Sequence, residues 1–150
     1  MSIIIEGTIN KLDELTILFD LYRQFYRQPS NIVETKLFLN ERMSKKESII
    51  FVSKEDNDSL SGFVQLYPIF TSVGLKRCWI LNDLFVKADH RKKGIARKLI
   101  DRCKKLAEET NASGLLLETS KNNLEGNVLY PTEGFTLVDE SNFYFWKNVF

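Results

Sequence analysis

An amphipathic stretch in the second half of the chain, Gly94–Glu109, limits the available folds more than any other feature. Its apolar residues recur at helical spacing and fall on one stripe, which predicts a helix packed on one side. The stretch lies between two strand-like runs, Lys76–Val86 and Leu115–Thr119, and the second run is short and apolar, as buried parallel strands are. A strand, a helix and a strand in this order predict a parallel pair joined by a crossover helix.

The elements before and after this unit predict the rest of the sheet. Upstream, we expect strands at Ile3–Ile5, Ser48–Ser53 and Leu60–Phe70, and helices at Asn10–Phe25 and Ile32–Met43. Downstream, we expect a short helix at Leu124–Tyr130 and strands at Phe135–Val138 and Phe143–Trp146. A meander that leads into a crossover unit predicts an α/β fold of the mixed α+β type, with one domain over residues 1–150. Its centre is a mixed, mostly antiparallel, twisted sheet of about seven strands with helices on both faces.

The composition excludes several classes of function. The 150 residues include 21 basic and 20 acidic ones, so the formal net charge is +1. This balance gives no general attraction to nucleic acid or to an anionic membrane, and no segment predicts a membrane span or an export signal. Cys78, Cys103 and the single histidine, His90, form no metal-ligand pattern, so we expect no metal. A cytoplasmic protein with two cysteines in its core is expected.

The loop between Val86 and the amphipathic helix has the composition of a phosphate site. A helix that begins at Gly94 presents free backbone amides and the positive end of its dipole. Glycine and the small Ala96 let a phosphate approach the backbone. Positive charge is concentrated there by Arg91, Lys92, Lys93, Arg97 and Lys98. The alternative, a solvated basic turn before an ordinary helix, is equally compatible with these residues alone.

Two separated motifs make the chain resemble a known family. Arg91-Lys92-Lys93-Gly94-Ile95-Ala96 is similar to the pyrophosphate loop of the GNAT acetyltransferases, Arg/Gln-x-x-Gly-x-Gly/Ala. Downstream, Asn123, Leu129, Tyr130, Gly134 and Phe135 match a second GNAT pattern, Asn-x-x-Ala-x-x-Leu-Tyr-x-x-x-Gly-Phe. Gly126 departs from it, because alanine is usual there, and Pro131 after the tyrosine is also less usual.

The resemblance implies an acetyl-CoA-dependent N-acetyltransferase and a set of cofactor residues. The acetyl group passes directly from acetyl-CoA to a primary amine of a small molecule within a ternary complex. The backbone of Leu84, Phe85 and Val86 is implied to hold the pantetheine arm. The remaining implied cofactor-binding residues are Arg91, Lys92, Lys93, Gly94, Ile95, Ala96, Arg97 and Asn123.

The resemblance also suggests catalytic residues. Tyr130 is implied as the general acid at the CoA sulfur, with a packed core tyrosine as the alternative. The strand Trp79–Val86 is similar to one in the small polyamine and thialysine acetyltransferases, except that Asn82 replaces their amine-contacting glutamate. Asn82 and Asp83 are therefore candidates for orienting the amine and relaying its proton. For Asp83, a structural carboxylate that binds loop amides is an equally open alternative.

The end of the first predicted helix and the C-terminal aromatic segment suggest binding partners. Arg23, Tyr26 and Arg27 close the first predicted helix, and we expect them to contact an anionic group of the acceptor, although a solvated helix face is the alternative. The aromatic tail, Phe143–Trp146, predicts a homodimer through pairing with a second subunit, or simply a core strand. Two other functions remain open: acetylation of proteins or peptides, and a catalytically silent CoA-binding module.

Overall fold

The structure is a computed structural model that describes all residues, Met1–Phe150. The elements follow one another as β1 (Ile3–Glu6), α1 (Leu12–Phe25), α2 (Ile32–Ser44), β2 (Ile49–Lys54), β3 (Leu60–Thr71), β4 (Lys76–Val86), α3 (Ile95–Glu109), β5 (Leu115–Leu116) and α4 (Leu124–Thr132). The chain forms two compact units, Met1–Glu118 and Thr119–Phe150. No helix combines the length and the apolar composition that crossing a membrane requires.

The strands form one mixed sheet in the order β1-β2-β3-β4-β5. Neighbouring strands from β1 to β4 are antiparallel to one another, whereas β5 runs parallel to β4. The helix α3 connects these two parallel strands, as the apolar stripe of Gly94–Glu109 predicts. The expected α/β fold, with a meander leading into a crossover unit, is thereby confirmed.

Helices cover both faces of this sheet. On one face, α1 packs into an apolar core that includes Ile50 and Val52 of β2, Phe63 of β3 and Phe85 of β4. Successive strand residues point to opposite faces, so Phe51 lies on the other face, where Arg102 of α3 stacks 4.2 Å from its ring centre. Residues of α3 that include Leu99, Ile100 and Cys103 are buried.

The predicted number of strands is wrong, because the sheet has five strands and not seven. The expected strand Leu115–Thr119 shortens to two paired residues, and no strand forms at Phe135–Val138 or Phe143–Trp146. Their β-branched and aromatic composition suits a strand, but a strand also requires a neighbour that completes its backbone hydrogen bonds. Composition cannot supply that neighbour.

Both cysteines have free thiols. Cys103 is fully buried in α3, and burial raises the pKa of its thiol to about 12. The Cys78 sulfur lies 3.4 Å from the carbonyl oxygen of Gly114, beside the start of β5. Both positions suit the expected packing role, and the high pKa of the Cys103 thiol makes it a poor nucleophile.

Candidate active site

The loop between β4 and α3 ends in a backbone conformation that favours glycine. Gly94 has φ of 79° and occupies the N-cap of α3, where no side chain accepts a hydrogen bond from the first turn. A Cβ added there would meet no atom within 4 Å, so the space above the helix start is open. The first amides of a helix lack partners within the helix and carry the positive end of its dipole. This helix start can therefore bind a phosphate group.

Most of the predicted diphosphate residues sit around that open helix start. Lys92 and Lys93 are exposed, and Lys92 has a left-handed φ of 61°. Ile95 is buried and Ala96 is half-buried, so their backbone amides are the groups that could serve a ligand. Arg97 is exposed in the first turn of the helix. Positive charge and open amides together suit the double negative charge of a diphosphate.

Arg91 is tied to the protein more firmly than its lysine neighbours. Its Nε donates to the carbonyl oxygen of Val86 at 2.9 Å. Its guanidinium also lies 5.2 Å from the ring centre of Phe25 and 5.6 Å from that of Phe85. Cation–π contacts of this kind hold the planar guanidinium in place. Arg91 thus links the end of α1 to the end of β4.

The second half of β4 has an open edge. The pairing of β4 with β5 is limited to Trp79 with Leu115 and Ile80 with Leu116. Beyond Ile80, no strand of the sheet pairs with β4 on that side, because β3 lies on its other side. The predicted pantetheine-binding segment, Leu84–Val86, lies on this stretch, so its backbone can serve a ligand there.

A bulge in β4 brings the two polar candidates together. Gln65 of β3 pairs with Asp83, but Leu66 pairs with Leu81, so Asn82 is an extra residue in β4. Asn82 is exposed and Asp83 is buried, and the Asn82 Nδ2 donates to both carboxylate oxygens of Asp83 at 3.1 Å. Regular alternation would point the two side chains to opposite faces. The bulge allows their contact.

Two further side chains donate to the Asp83 carboxylate. The Tyr22 hydroxyl of α1 donates to Oδ1 at 2.9 Å, and Gln65 Nε2 donates to Oδ2 at 2.8 Å. Asp83 itself is only 7% exposed. Hydrogen bonds to the charged form stabilise a buried carboxylate and fix its orientation. The arrangement can hold an amine and accept its proton.

Tyr67 extends this cluster along β3. Its hydroxyl oxygen accepts a hydrogen bond from Gln65 Nε2 at 3.0 Å. Burial, and then the negative charge of Asp83, raise the pKa of Tyr67 to about 12. The phenol therefore stays protonated at neutral pH, and its hydrogen is available to donate.

The end of α1 uses its three predicted acceptor residues differently. Arg23 donates to the carbonyl oxygen of Pro29 at 3.2 Å and lies 3.8 Å from Asp20, so it braces the loop after the helix. Tyr26 is 51% exposed and packs edge-on against Tyr22, with ring centres 5.0 Å apart. Arg27 is exposed and has a left-handed φ of 62°. Tyr26 and Arg27 remain accessible to a ligand.

A buried carboxylate anchors the loop between α1 and α2. Asp20 accepts from Gln24 Nε2 at 2.9 Å, Ser30 Oγ at 2.6 Å and the Asn31 amide at 2.8 Å. Burial alone would raise the pKa of Asp20, but these hydrogen bonds and the charge of Arg23 together lower it. The ionised carboxylate therefore stabilises the loop that follows Tyr22 and Tyr26.

The cap of α4 explains the glycine that departs from the family pattern. The Asn123 Oδ1 accepts from the Gly126 amide at 3.2 Å, and its Nδ2 donates to Thr119 Oγ1 at 2.9 Å. A Cβ at Gly126 would lie 2.4 Å from that Nδ2 and 3.2 Å from a ring carbon of Tyr130. Both polar atoms of the Asn123 side chain thus have structural partners, and its predicted contact with the cofactor stays a prediction.

The end of α4 gives a physical reason for the Tyr-x-x-x-Gly-Phe spacing. The amide of Gly134 donates to the Pro131 carbonyl at 3.0 Å, and that of Phe135 donates to the Tyr130 carbonyl at 3.0 Å. With φ of 90° at Gly134, these bonds form a Schellman motif. The rings of Tyr130 and Phe135 pack at 5.7 Å, which is the apolar contact that accompanies such motifs. Pro131 lies inside the helix, which continues to Thr132.

Sequence reasoning missed three members of the Asp83 cluster: Tyr22, Gln65 and Tyr67. One signal was present, because Gln65 is a large polar residue between apolar neighbours in the middle of a strand. Its complete burial shows that it must find partners inside the protein. For Tyr22, the helical pattern predicts an inward side chain but gives no indication of its partner.

Comparisons with known proteins agree with this geometry. The model of the acetyltransferase (GNAT) family matches residues 15–135. The uncharacterized N-acetyltransferase YhfO of Bacillus subtilis is 42% identical over 118 residues, which are 79% of this chain and 78% of that protein. A crystal structure of a probable acetyltransferase is 37% identical, covers 98% of each chain and has a TM-score of 0.94.

A more distant structure shares the fold. It is that of AAC(6')-Iy in complex with the bisubstrate analog CoA-S-monomethyl-acetylneamine, with a TM-score of 0.80, 17% identity and coverage of 99% of each chain. The match of the family model spans most of this chain, and the relative from Bacillus subtilis covers more than two thirds of it. The chain therefore belongs to the GNAT family of acetyltransferases.

Proposed function

We propose that this acetyltransferase moves an acetyl group from acetyl-CoA directly to a primary amine of a small molecule. The observation that carries this proposal is the Asp83 carboxylate, which is buried, held by Tyr22, Gln65 and Asn82, and placed at the bulge of β4. An anion fixed in this way suits a cationic amine that must lose a proton before it reacts. The related fold in complex with a CoA bisubstrate analog supports the choice of donor.

The residues near the start of α3 fit the diphosphate of CoA. The open amides at Gly94 and the exposed Lys92 and Lys93 would hold its charge. The open edge of β4 at Leu84–Val86 would offer backbone groups to the amide-bearing pantetheine arm. Arg91, fixed by two aromatic rings, would keep the loop in place between these two regions.

The proposed chemistry balances without a covalent enzyme intermediate. Asp83 accepts a proton from the bound ammonium, and the neutral amine attacks the thioester carbonyl. A carbon–nitrogen bond forms and the carbon–sulfur bond breaks. Tyr130 donates its phenolic proton to the departing sulfur and regains the proton that the new amide loses. One proton in total is released, through Asp83, to the solvent.

The acceptor is proposed to be a small molecule with an anionic group beside its amine. Tyr26 and Arg27 support this proposal, because both are exposed at the end of α1, next to the Tyr22 that contacts Asp83. Arginine binds carboxylates in a bidentate manner. Arg23 would contribute indirectly, by holding the loop after α1 in place through its hydrogen bond to the Pro29 carbonyl.

Two measurements test the proposed function. Calorimetry with CoA tests the diphosphate loop, and the absence of binding would contradict the cofactor assignment. Release of free thiol from acetyl-CoA, measured with amines, amino acids, aminoglycosides and short peptides, tests the transfer. Thiol release with peptides alone would replace the small-molecule acceptor, and CoA binding without release for any amine would replace catalysis.

A Tyr130→Phe variant tests the general acid. Loss of a general acid lowers turnover by about 10²- to 10⁴-fold. Because the ring and its packing against Phe135 are retained, CoA affinity should stay the same. Unchanged turnover would assign Tyr130 to packing alone.

For self-association, we propose a homodimer that involves the aromatic tail. Phe143, Tyr144, Phe145 and Trp146 are between 74% and 91% exposed, which is a large apolar surface for one short segment. Light scattering should give twice the monomer mass, and Phe145→Ser with Trp146→Ser should give the monomer mass. A monomer for the unmodified protein would contradict the proposal.

A further inference from the structure

Gln65 is a polar side chain enclosed within the sheet. It lies in the middle of β3 with 0% exposure, between the equally buried Val64 and Leu66. Its Nε2 donates one hydrogen to Asp83 Oδ2 at 2.8 Å and the other to the Tyr67 hydroxyl at 3.0 Å. An amide buried at this position costs free energy that an apolar residue would not. Its contacts therefore call for an explanation beyond packing.

The orientation of the Gln65 amide follows from its neighbours. If the two ends of the amide were exchanged, its carbonyl would face the Asp83 carboxylate, and two acceptors would meet. The observed orientation leaves Oε1 buried without a hydrogen-bond partner. A buried acceptor without a partner is rare in proteins, so the donors to Asp83 and Tyr67 are retained at the expense of Oε1.

The carboxylate is held differently on its two sides. Tyr22 and Gln65 donate to separate oxygens at 2.9 and 2.8 Å, respectively, and Gln65 comes from the interior of the sheet. The remaining donor is the exposed Asn82, whose contacts with both oxygens are longer, at 3.1 Å. A ligand can displace an exposed donor more easily than a buried one. The Asn82 side is thus the side on which an amine can reach the carboxylate.

We propose that Gln65 is a positioning residue for acyl transfer, which holds Asp83 so that the lone pairs now bonded by Asn82 face the incoming amine. It acts through Asp83 and does not touch the substrate. The neutral amide supplies a strong hydrogen bond without adding a second charge beside the carboxylate. This inference rests on the proposed role of Asp83 in accepting the proton.

A Gln65→Glu variant tests the inference through charge at nearly constant shape. It places a second carboxylate beside Asp83, and two adjacent carboxylates take up a shared proton at higher pH than either would alone. The acid limb of the pH–rate profile should therefore move to higher pH by one unit or more. A Gln65→Met variant removes the donor without adding charge, and turnover should fall by about tenfold or more, with unchanged KM for acetyl-CoA.

Ser61→Ala is the matched control. Ser61 is also a fully buried polar residue of β3, but it bonds Ser53 and Glu55 and not Asp83. Its loss should lower stability without moving the pH–rate profile. Thermal unfolding of each variant verifies that it is folded. The pH–rate profiles are measured with the amine that gives the fastest thiol release in the acceptor screen.

A double-mutant cycle with Asp83→Asn separates the two proposals. Gln65→Glu should shift the acid limb when Asp83 is present, and it should leave the pH–rate profile unchanged in the Asp83→Asn background, which lacks that limb. No shift in the first case, or the same shift in both, would overturn the role of Gln65. A wild-type pH–rate profile for Asp83→Asn alone would instead overturn the role of Asp83 as the proton acceptor.

A direct titration provides a readout that needs no acceptor. The side-chain carboxyl ¹³C resonance of Asp83, identified by its loss in Asp83→Asn, should titrate at higher pH in Gln65→Glu than in the unmodified protein. An unchanged midpoint would show that the two residues are not coupled and would contradict the inference.

Discussion

The proposed phosphate loop after β4 and the carboxylate cluster around Asp83 are built in different ways. The loop is one continuous segment that ends at Gly94, and the groups that it offers a ligand are backbone amides at a helix start. The cluster combines side chains from α1, β3 and β4, with Tyr22 61 residues and Gln65 18 residues from Asp83. Every CoA molecule carries the same diphosphate, and one short segment of sequence can form a site for it. A site for an amine, in contrast, depends on residues that only the tertiary structure brings together.

The largest expected effect is that of removing the charge at the centre of the cluster. Asp83→Asn keeps the shape but cannot accept a proton, so turnover should fall by about 10²- to 10⁴-fold. CoA affinity should not change, because the loop is a separate structure. Steady-state kinetics and calorimetry measure the two effects. Asp101→Asn is the control, since Asp101 is an exposed carboxylate of α3 that lies 3.9 Å from Lys104 and outside both regions. If Asp83→Asn weakened CoA binding as strongly as it lowers turnover, the two regions would not be independent.

The anchor of the α1–α2 loop should have the next largest effect. Asp20→Asn weakens the bonds to Ser30, Asn31 and Gln24, and should lower the free energy of unfolding by about 1–3 kcal/mol at pH 7. The pKa of Asp20 is below its ordinary value of 3.8 in the folded protein. Its contribution is therefore present above about pH 4 and is lost as the pH falls through the folded-state pKa.

Urea unfolding at several pH values measures this difference. The gap between Asp20→Asn and the unmodified protein should close at acidic pH, and a gap that stays constant would exclude ionisation as its cause. Asp13→Asn is the control, because Asp13 forms an exposed ion pair with Lys36 at 2.7 Å. Exposed pairs of this kind contribute at most about 1 kcal/mol.

A smaller effect is expected at the phosphate loop. Gly94→Ala forces a residue with a Cβ to adopt φ of 79°, at a cost of about 1–2 kcal/mol. If the strain is relieved by moving the helix start, CoA affinity should weaken by about tenfold. Turnover at saturating acetyl-CoA should stay the same. Gly114→Ala is the control, because Gly114 also has open space but not the left-handed conformation.

This contrast also explains which parts the sequence could predict. The helix Gly94–Glu109 and the loop before it depend on residues close together in the chain, and they appear at the predicted positions. The bulge at Asn82 and the bonds of Asp83 to Tyr22 and Gln65 depend on strand register and helix packing, which periodicity does not specify. The tail is the reverse case, because local composition favours a strand at Phe143–Trp146 where none forms.

The cap of α4 offers the finest test of local encoding, because two opposing effects nearly cancel there. Gly126→Ala should gain up to about 1 kcal/mol of helix propensity. It should also displace the Asn123 amide, which lies 2.4 Å from the new Cβ, and so lose a cap that is worth about 1 kcal/mol. The net change should be close to zero.

In an Asn123→Ala background there is no cap to displace, so the same Gly126→Ala substitution should stabilise α4 by about 1 kcal/mol. Amide hydrogen exchange within α4 measures these changes in the free energy of local opening. Equal effects in both backgrounds would mean that the clash with Asn123 is not the reason for glycine at this position. The contact with the Tyr130 ring, at 3.2 Å, would then be the remaining explanation.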